Sequence, residues 1–248
     1  MPKFNVNDDT IPKVGNYFNF SAANISKLGS TEYTLVSITS DVSGSVQKFA
    51  LLLNNALKEA VESCQKSPRA DNLLLRVTTF NSVVKEFHGF KEFKNVNLSD
   101  YDNVIQNPYG ATALRDAALD SLDALNLQAK ELYDNDYSAN AIFIQITDGD
   151  DNSSVHSAAK LKKTAADAIN SEYLESIRRI LVGVNPDKDT NLSAYLQRYK
   201  DEAGFDQYIE IEDTSPNAFA KLSDFISKSV STQSQSLGSG KPSQAITF

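Results

Sequence analysis

Between Tyr33 and Ile211 the chain alternates short, β-branched apolar runs with longer segments of helical periodicity. This alternation limits the fold more than any other feature. Buried strands that take turns with amphipathic helices pair in parallel, and the helices cover both faces of the resulting sheet. The first run, Tyr33–Thr39 (YTLVSIT), reads as a buried strand. A turn over Asp41–Ser45 leads into a helix with Val46, Phe49, Ala50, Leu53, Leu57, Ala60, Val61 and Cys64 on one face. Cys64 there is a small core residue. Leu73–Phe80 and Val83–Phe90 are separated only by Asn81-Ser82, which predicts a β-hairpin and one antiparallel edge. After a loop with Pro108 and Gly110, a second helix turns Leu114, Ala117, Ala118, Leu122, Leu125 and Leu132 inward. Ala141–Thr147 (AIFIQIT) is the most apolar strand and should be central. A helix over His156–Ile169, a strand within Ile177–Val184, a helix near Leu192–Tyr199 and a strand over Gln207–Ile211 follow. Ser215-Pro216 caps a last helix that runs to about Val230.

The expected architecture is α/β: a doubly wound, mostly parallel central sheet with one antiparallel edge strand and helices on both faces. It accounts for residues 32–231 as one domain. Residues 1–31 carry Phe4, Tyr17, Phe18 and Phe20 with little periodicity and read as an N-terminal arm with room for a short strand, packed on another surface. Residues 232–248 are rich in Ser, Gln and Gly, and read as a flexible or partner-docked C-terminal tail. The tail segment Gly238–Lys241 fails as a phosphate loop, because Gln235 stands where the first glycine belongs and Pro242 where Ser or Thr belongs.

Charge and composition remove several functions. The net charge is −8, which disfavours nucleic acid and anionic membranes as partners. One cysteine and two histidines are too few for a disulfide framework, a thiolate zinc site or a multi-His centre. No apolar run approaches the ~20 residues of a membrane span. The first nine residues contain no apolar stretch, so a cytoplasmic chain is expected, with a virion component as the other setting.

In doubly wound sheets ligands bind at the carboxyl ends of the strands. Asp41, Ser43 and Ser45 follow the first strand as D-x-S-x-S, and Asp148 follows the central strand in Thr-Asp-Gly. Thr112 stands in Gly-Ala-Thr-Ala-Leu at a loop-to-helix junction. All five side chains offer oxygen, the donor that hard cations such as Mg2+ prefer. Asp150 and Asp151 read as solvated loop acids, Asn81 as turn chemistry, His88 as structural and His156 as a surface residue.

These residues resemble the metal-ion-dependent adhesion site of von Willebrand factor type A (VWA) domains. The resemblance covers about residues 32–231 in element order as well as motif. It implies a Rossmann-like VWA fold with Ser43, Ser45 and Thr112 as direct metal ligands. Asp41 and Asp148 would orient the site or act through coordinated water. It implies magnesium as the cofactor, with Mn2+ or Ca2+ as substitutes, and a protein partner that offers Asp or Glu to the metal. The function expected is a Mg2+-dependent protein-binding module, not an enzyme, within a larger microbial or phage assembly. Two other readings stand beside it. One is an assembly subunit whose metal site is vestigial or merely stabilising, with contacts made through the N-terminal arm and the C-terminal tail. The other is a Mg2+-dependent phosphoryl hydrolase, which is weakened because Ser43 stands two positions after Asp41, where a second acid is needed.

Overall fold

The computed structural model describes residues 10–248. Phe4 of the expected arm lies outside the described residues. Six strands form the main sheet: β3 (Glu32–Asp41), β4 (Leu73–Phe80), β5 (Val84–Glu92), β6 (Ser138–Thr147), β7 (Ile177–Val184) and β8 (Gln207–Ile211). Before them, β1 (Thr10–Val14) and β2 (Asn19–Ala23) make a separate antiparallel pair. The helices are α1 (Ala50–Gln65), α2 (Leu114–Tyr133), α3 (Ala158–Asn170), α4 (Thr190–Ala203) and α5 (Pro216–Gln235).

The spatial order is β5-β4-β3-β6-β7-β8, parallel except for the antiparallel β4–β5 hairpin. This is the sheet expected from the alternating pattern, with its antiparallel edge in place. The chain builds outward from β3 in one direction and from β6 in the other. Crossovers of fixed hand then send the helices to opposite faces. Val36 and Ile38 of β3 and Ile142, Ile144 and Ile146 of β6 meet α1 and α5 on one face. Tyr33, Leu35 and Phe143 meet α2, α3 and α4 on the other. The period of two within continuously apolar strands shows both faces covered.

Several details differ from the sequence expectation. The first helix is preceded by a 3-10 turn over Gly44–Lys48, and the α-helix starts only at Ala50. Val46 and Phe49 still reach the core, so the apolar spacing hid the break. The Ser215 hydroxyl accepts from the Ala218 amide at 3.2 Å, the cap expected. Yet α5 runs to Gln235, past Val230, because Gln233 and Ser234 on its inner side are buried. After it the chain folds back on its own body. The Ser243 amide donates to Gln233 Oε1 at 2.9 Å and Gln207 Nε2 donates to the Ile246 carbonyl at 2.8 Å. Phe248 meets the Phe225 ring edge-on at 5.7 Å.

The arm is a hairpin closed by the Gly15 amide on the Phe18 carbonyl at 2.9 Å. It lies against β5 and α2. Ala23 donates its amide to Gln128 Oε1 at 2.7 Å, and the Tyr17 amide and Asn16 side chain donate to Asp123 at 3.1 and 2.7 Å. Under the arm lies Arg76, fully buried in β4 and paired with Glu86 at 2.8 Å and Asp120 at 2.9 Å. A lone buried guanidinium would be very costly, and two carboxylates make it tolerable.

Candidate functional site

The order of strands reverses between β3 and β6, the place where open α/β sheets form a ligand crevice. Register puts Ser40 beside Ile146, so Asp41 and Thr147 end adjacent strands together. The Thr147 hydroxyl donates to Asp41 Oδ2 at 2.7 Å, and the Ser43 amide donates to Asp41 Oδ1 at 2.7 Å. Asp41 is thereby aimed from both sides, and its carboxylate is buried. The next turn carries Ser43 and Ser45, whose hydroxyl oxygens stand 3.3 Å apart. Ser45 donates its hydroxyl to Asp148 Oδ1 at 2.9 Å across the crevice. Four of the five residues singled out in the sequence therefore form one connected set.

The fifth, Thr112, is buried in the loop before α2. Its hydroxyl oxygen lies 3.7 Å from where a Cβ on Gly149 would stand, beside the Asp148 turn. Its peptide is clamped: the Thr112 amide donates to Asn152 Oδ1 at 2.7 Å, and the Asn152 amide donates to the Thr112 carbonyl at 3.1 Å. The same loop hangs on the β4–β5 hairpin. Asn81 Nδ2 donates to the Tyr109 carbonyl at 3.0 Å, and the Ala113 amide to the Asn81 carbonyl at 2.7 Å. Gly110 between them has φ +86, a conformation that favours glycine. Asn81 thus does more than close its own turn.

Asp151 is not the solvated acid expected. Its side chain is buried, paired with Arg115 Nε at 3.2 Å, and accepts from the Arg115 amide at 2.9 Å at the start of α2. The start of α2 has amides that need an acceptor, and Asp151 in the loop after β6 supplies one. Asp150 is exposed, as expected. His88 is structural: Nε2 lies 2.7 Å from the Tyr101 hydroxyl and burial lowers its pKa to about 3, so it is neutral. His156 is not simply a surface residue. Its Nδ1 lies 2.8 Å from Asp116 Oδ1, and the Tyr17 and Phe18 rings of the arm meet it edge-on. The role of Thr147, which the sequence offers only as the first residue of Thr-Asp-Gly, and that of Asn152, outside the motif, are what sequence reading missed. Their neighbours in space come from strand register and loop docking, which motif spacing does not show.

Electrostatics fit a cation. Burial, and then the charge of nearby Asp41, raise the pKa of Asp148 to about 6. Burial raises Asp41 too, against the hydrogen bonds from Ser43 and Thr147. Two carboxylates disfavoured as anions gain from a positive ion placed between them. Among the described residues no three His, Cys, Asp or Glu side chains converge on a metal position. The donors here are hydroxyl and carboxylate oxygens, a set that suits Mg2+ with water completing its shell.

The fold is shared with known structures. The pilus adhesin SpaC from Lactobacillus rhamnosus GG matches with a TM-score of 0.57 at 12% identity, over 90% of this chain and 34% of that one. The ArnB paralog VWA2 from Sulfolobus acidocaldarius matches with a TM-score of 0.52 at 16% identity, over 85% and 48%. Proximal thread matrix protein 1 from the mussel byssus, with a zinc-occupied metal-ion-dependent adhesion site, matches with a TM-score of 0.51 at 18% identity, over 82% and 47%. The chain has a VWA-like fold. It spans less than half the length of each of these three proteins. No family model matches the sequence, and no curated protein does. No helix among the described residues is long and apolar enough to cross a membrane.

Proposed function

We propose that this protein is a metal-dependent protein-binding module whose recognition element is a Mg2+ held by Ser43, Ser45 and Thr112, with Asp41 and Asp148 behind them. The reading is carried by one observation: Asp41, Ser43, Ser45 and Asp148 form one hydrogen-bonded set at the switch point of the sheet. A bound Mg2+ supplies an electrophilic centre for a partner's Asp or Glu carboxylate. The chain's own part is to hold oxygen donors ready and to balance charge. Asp41, fixed by Thr147 and the Ser43 amide, orients the serine turn. Asp148 offers one oxygen to Ser45. Ser43 cannot act as the second acid of a phosphoryl hydrolase, so the reading stays with binding.

Calorimetric titration with MgCl2 tests the site. One Mg2+ per chain is expected, and Asp41→Ala or Ser43→Ala should lose it while keeping the circular dichroism of the fold. Absence of Mg2+, Mn2+ and Ca2+ binding by the intact chain would refute the reading. Partner capture should then require Mg2+ and fail in EDTA.

A further inference from the structure

Large apolar side chains are strongly exposed at only a few described positions, and four of them share the edge of the sheet that carries the candidate metal site. They are Leu51 at 71% exposure, Val83 at 59%, Tyr109 at 62% and Val155 at 84%. The chain brings them there from four separate segments. Leu51 lies in the first turn of α1, just past the serine turn. Val83 caps the β4–β5 hairpin, where its amide donates to Asn81 Oδ1 at 3.0 Å. Tyr109 is tied to the Asp41–Ser43 loop by its own amide, which donates to the Val42 carbonyl at 2.9 Å. Val155 follows β6 and donates its amide to Asp116 on the first turn of α2 at 3.2 Å.

Val83, Tyr109 and Val155 are held through their own backbone amides, so the apolar side chain is not what secures the loop. Leu51 lies on the α1 side of the sheet edge, Val155 on the α2–α3 side, and Val83 and Tyr109 toward β5. After β7 the edge is polar, with Asp187, Lys188 and Asp189 exposed. A solvated apolar side chain gives a monomer nothing, whereas several around one polar centre mark a contact surface.

We infer that this edge binds a protein segment in which the carboxylate is flanked by apolar side chains, which Leu51, Val83, Tyr109 and Val155 cover. The inference rests on the proposed metal reading and deepens it by naming the surroundings of the carboxylate. Charge argues for this occupant. The chain carries −8 overall, so an acidic, highly charged segment is repelled at a distance. A segment with one carboxylate for the metal and apolar neighbours for the rim avoids that repulsion and gains from burial.

The probes are three synthetic nine-residue peptides, capped at both ends: one glutamate flanked by Leu and Phe, one flanked by Ser, and the apolar peptide with Gln for Glu. Binding is read by NMR titration in MgCl2 and in EDTA. The apolar-flanked glutamate peptide should bind at least tenfold more tightly than the serine-flanked one, in Mg2+ only. In Val83→Ser/Val155→Ser and in Leu51→Ser/Tyr109→Ser that advantage should shrink severalfold, while the Mg2+ affinity measured without peptide stays unchanged. Equal binding of both glutamate peptides overturns the apolar rim and leaves the metal reading intact. Loss of the difference between Glu and Gln overturns the metal reading instead. Absence of binding by all three peptides overturns the inference. Mg2+-dependent dimerisation in sedimentation, lost in the rim variants, would overturn it in favour of a second copy of this chain.

Discussion

Asp148 shows what a single residue does at this sheet edge. Its ordinary carboxyl pKa of 3.8 is raised to about 6, first by burial and then by the charge of Asp41. A carboxyl whose pKa is raised by folding favours the folded state when protonated. Its contribution is therefore largest below about pH 4 and is lost as pH rises through 6. Metal has the opposite dependence, because Mg2+ competes with the proton. The Tm increment from MgCl2 over EDTA should be large at pH 7.5 and small at pH 5. Asp148→Asn should raise the metal-free Tm at pH 7.5 and abolish the increment. Differential scanning fluorimetry at the two pH values checks both, and an increment independent of pH would contradict the assignment. Residue types at this edge could be read from the sequence, since D-x-S-x-S, Thr112 and Thr-Asp-Gly each follow a strand or open a helix. Their supports could not. Thr147 reaches Asp41 because Ser40 and Ile146 are in register, and Asn152 reaches Thr112 because a loop folds back 40 residues away in sequence.

At the scale of elements, the arm shows how a weak signal becomes a defined structure. TIPKV and NFSAA are short and mixed, and no periodicity marks them as strands. They form a hairpin because β5 and α2 offer a surface with Glu86, Asp123 and Gln128 as acceptors. The approach is close. A Cβ on Gly89 of β5 would stand 2.2 Å from the carbonyl oxygen of Ser21. Gly89→Ala should therefore push β2 off β5 and cost about 1–3 kcal/mol, the range for overpacking. Protease susceptibility and hydrogen exchange should rise within residues 10–23, while Mg2+ affinity is retained. Unchanged protection of the arm would show that β2 is not seated on Gly89. Arg76 escaped sequence reading for a related reason. LLLRVTTF looks like an apolar strand with one solvent-facing charge, yet its partners Glu86 and Asp120 come from a hairpin strand and a distant helix. The strands themselves were legible because burial on both faces leaves no polar alternation, and Gln207–Ile211 appears with the bounds expected.

For the whole molecule, the sheet separates two poles. The oxygen donors and the apolar rim occupy the carboxyl ends of the strands. The descent of α5 and the return of the tail past Gln233, Arg178 and Gln207 occupy the other end and the β8 side. Composition suggested a loose tail, because Ser, Gln and Gly promise little burial. It is held by hydrogen bonds at Ser243 and Ile246 and by the apolar packing of Ile246 and Phe248, two residues in an otherwise polar stretch. A chain ending at Ser236 keeps α5 whole and loses those contacts. It should unfold at lower denaturant by about 1–3 kcal/mol, from apolar burial alone, with Mg2+ binding unaltered. Chemical denaturation and calorimetry on the two lengths measure these separately, and a loss of Mg2+ affinity would mean that the poles communicate.

The return of the tail has a practical consequence for orientation. Phe248 stands beside Phe225, midway along α5. A bead or sensor chip coupled through Phe248 would hold the molecule by α5 and not by the serine turn. Coupling through lysines would include Lys48, exposed in the 3-10 turn that follows Ser43, and would cover the oxygen-lined edge in those molecules held by it. How the protein is tethered therefore bears on whether a surface measurement reaches the candidate site.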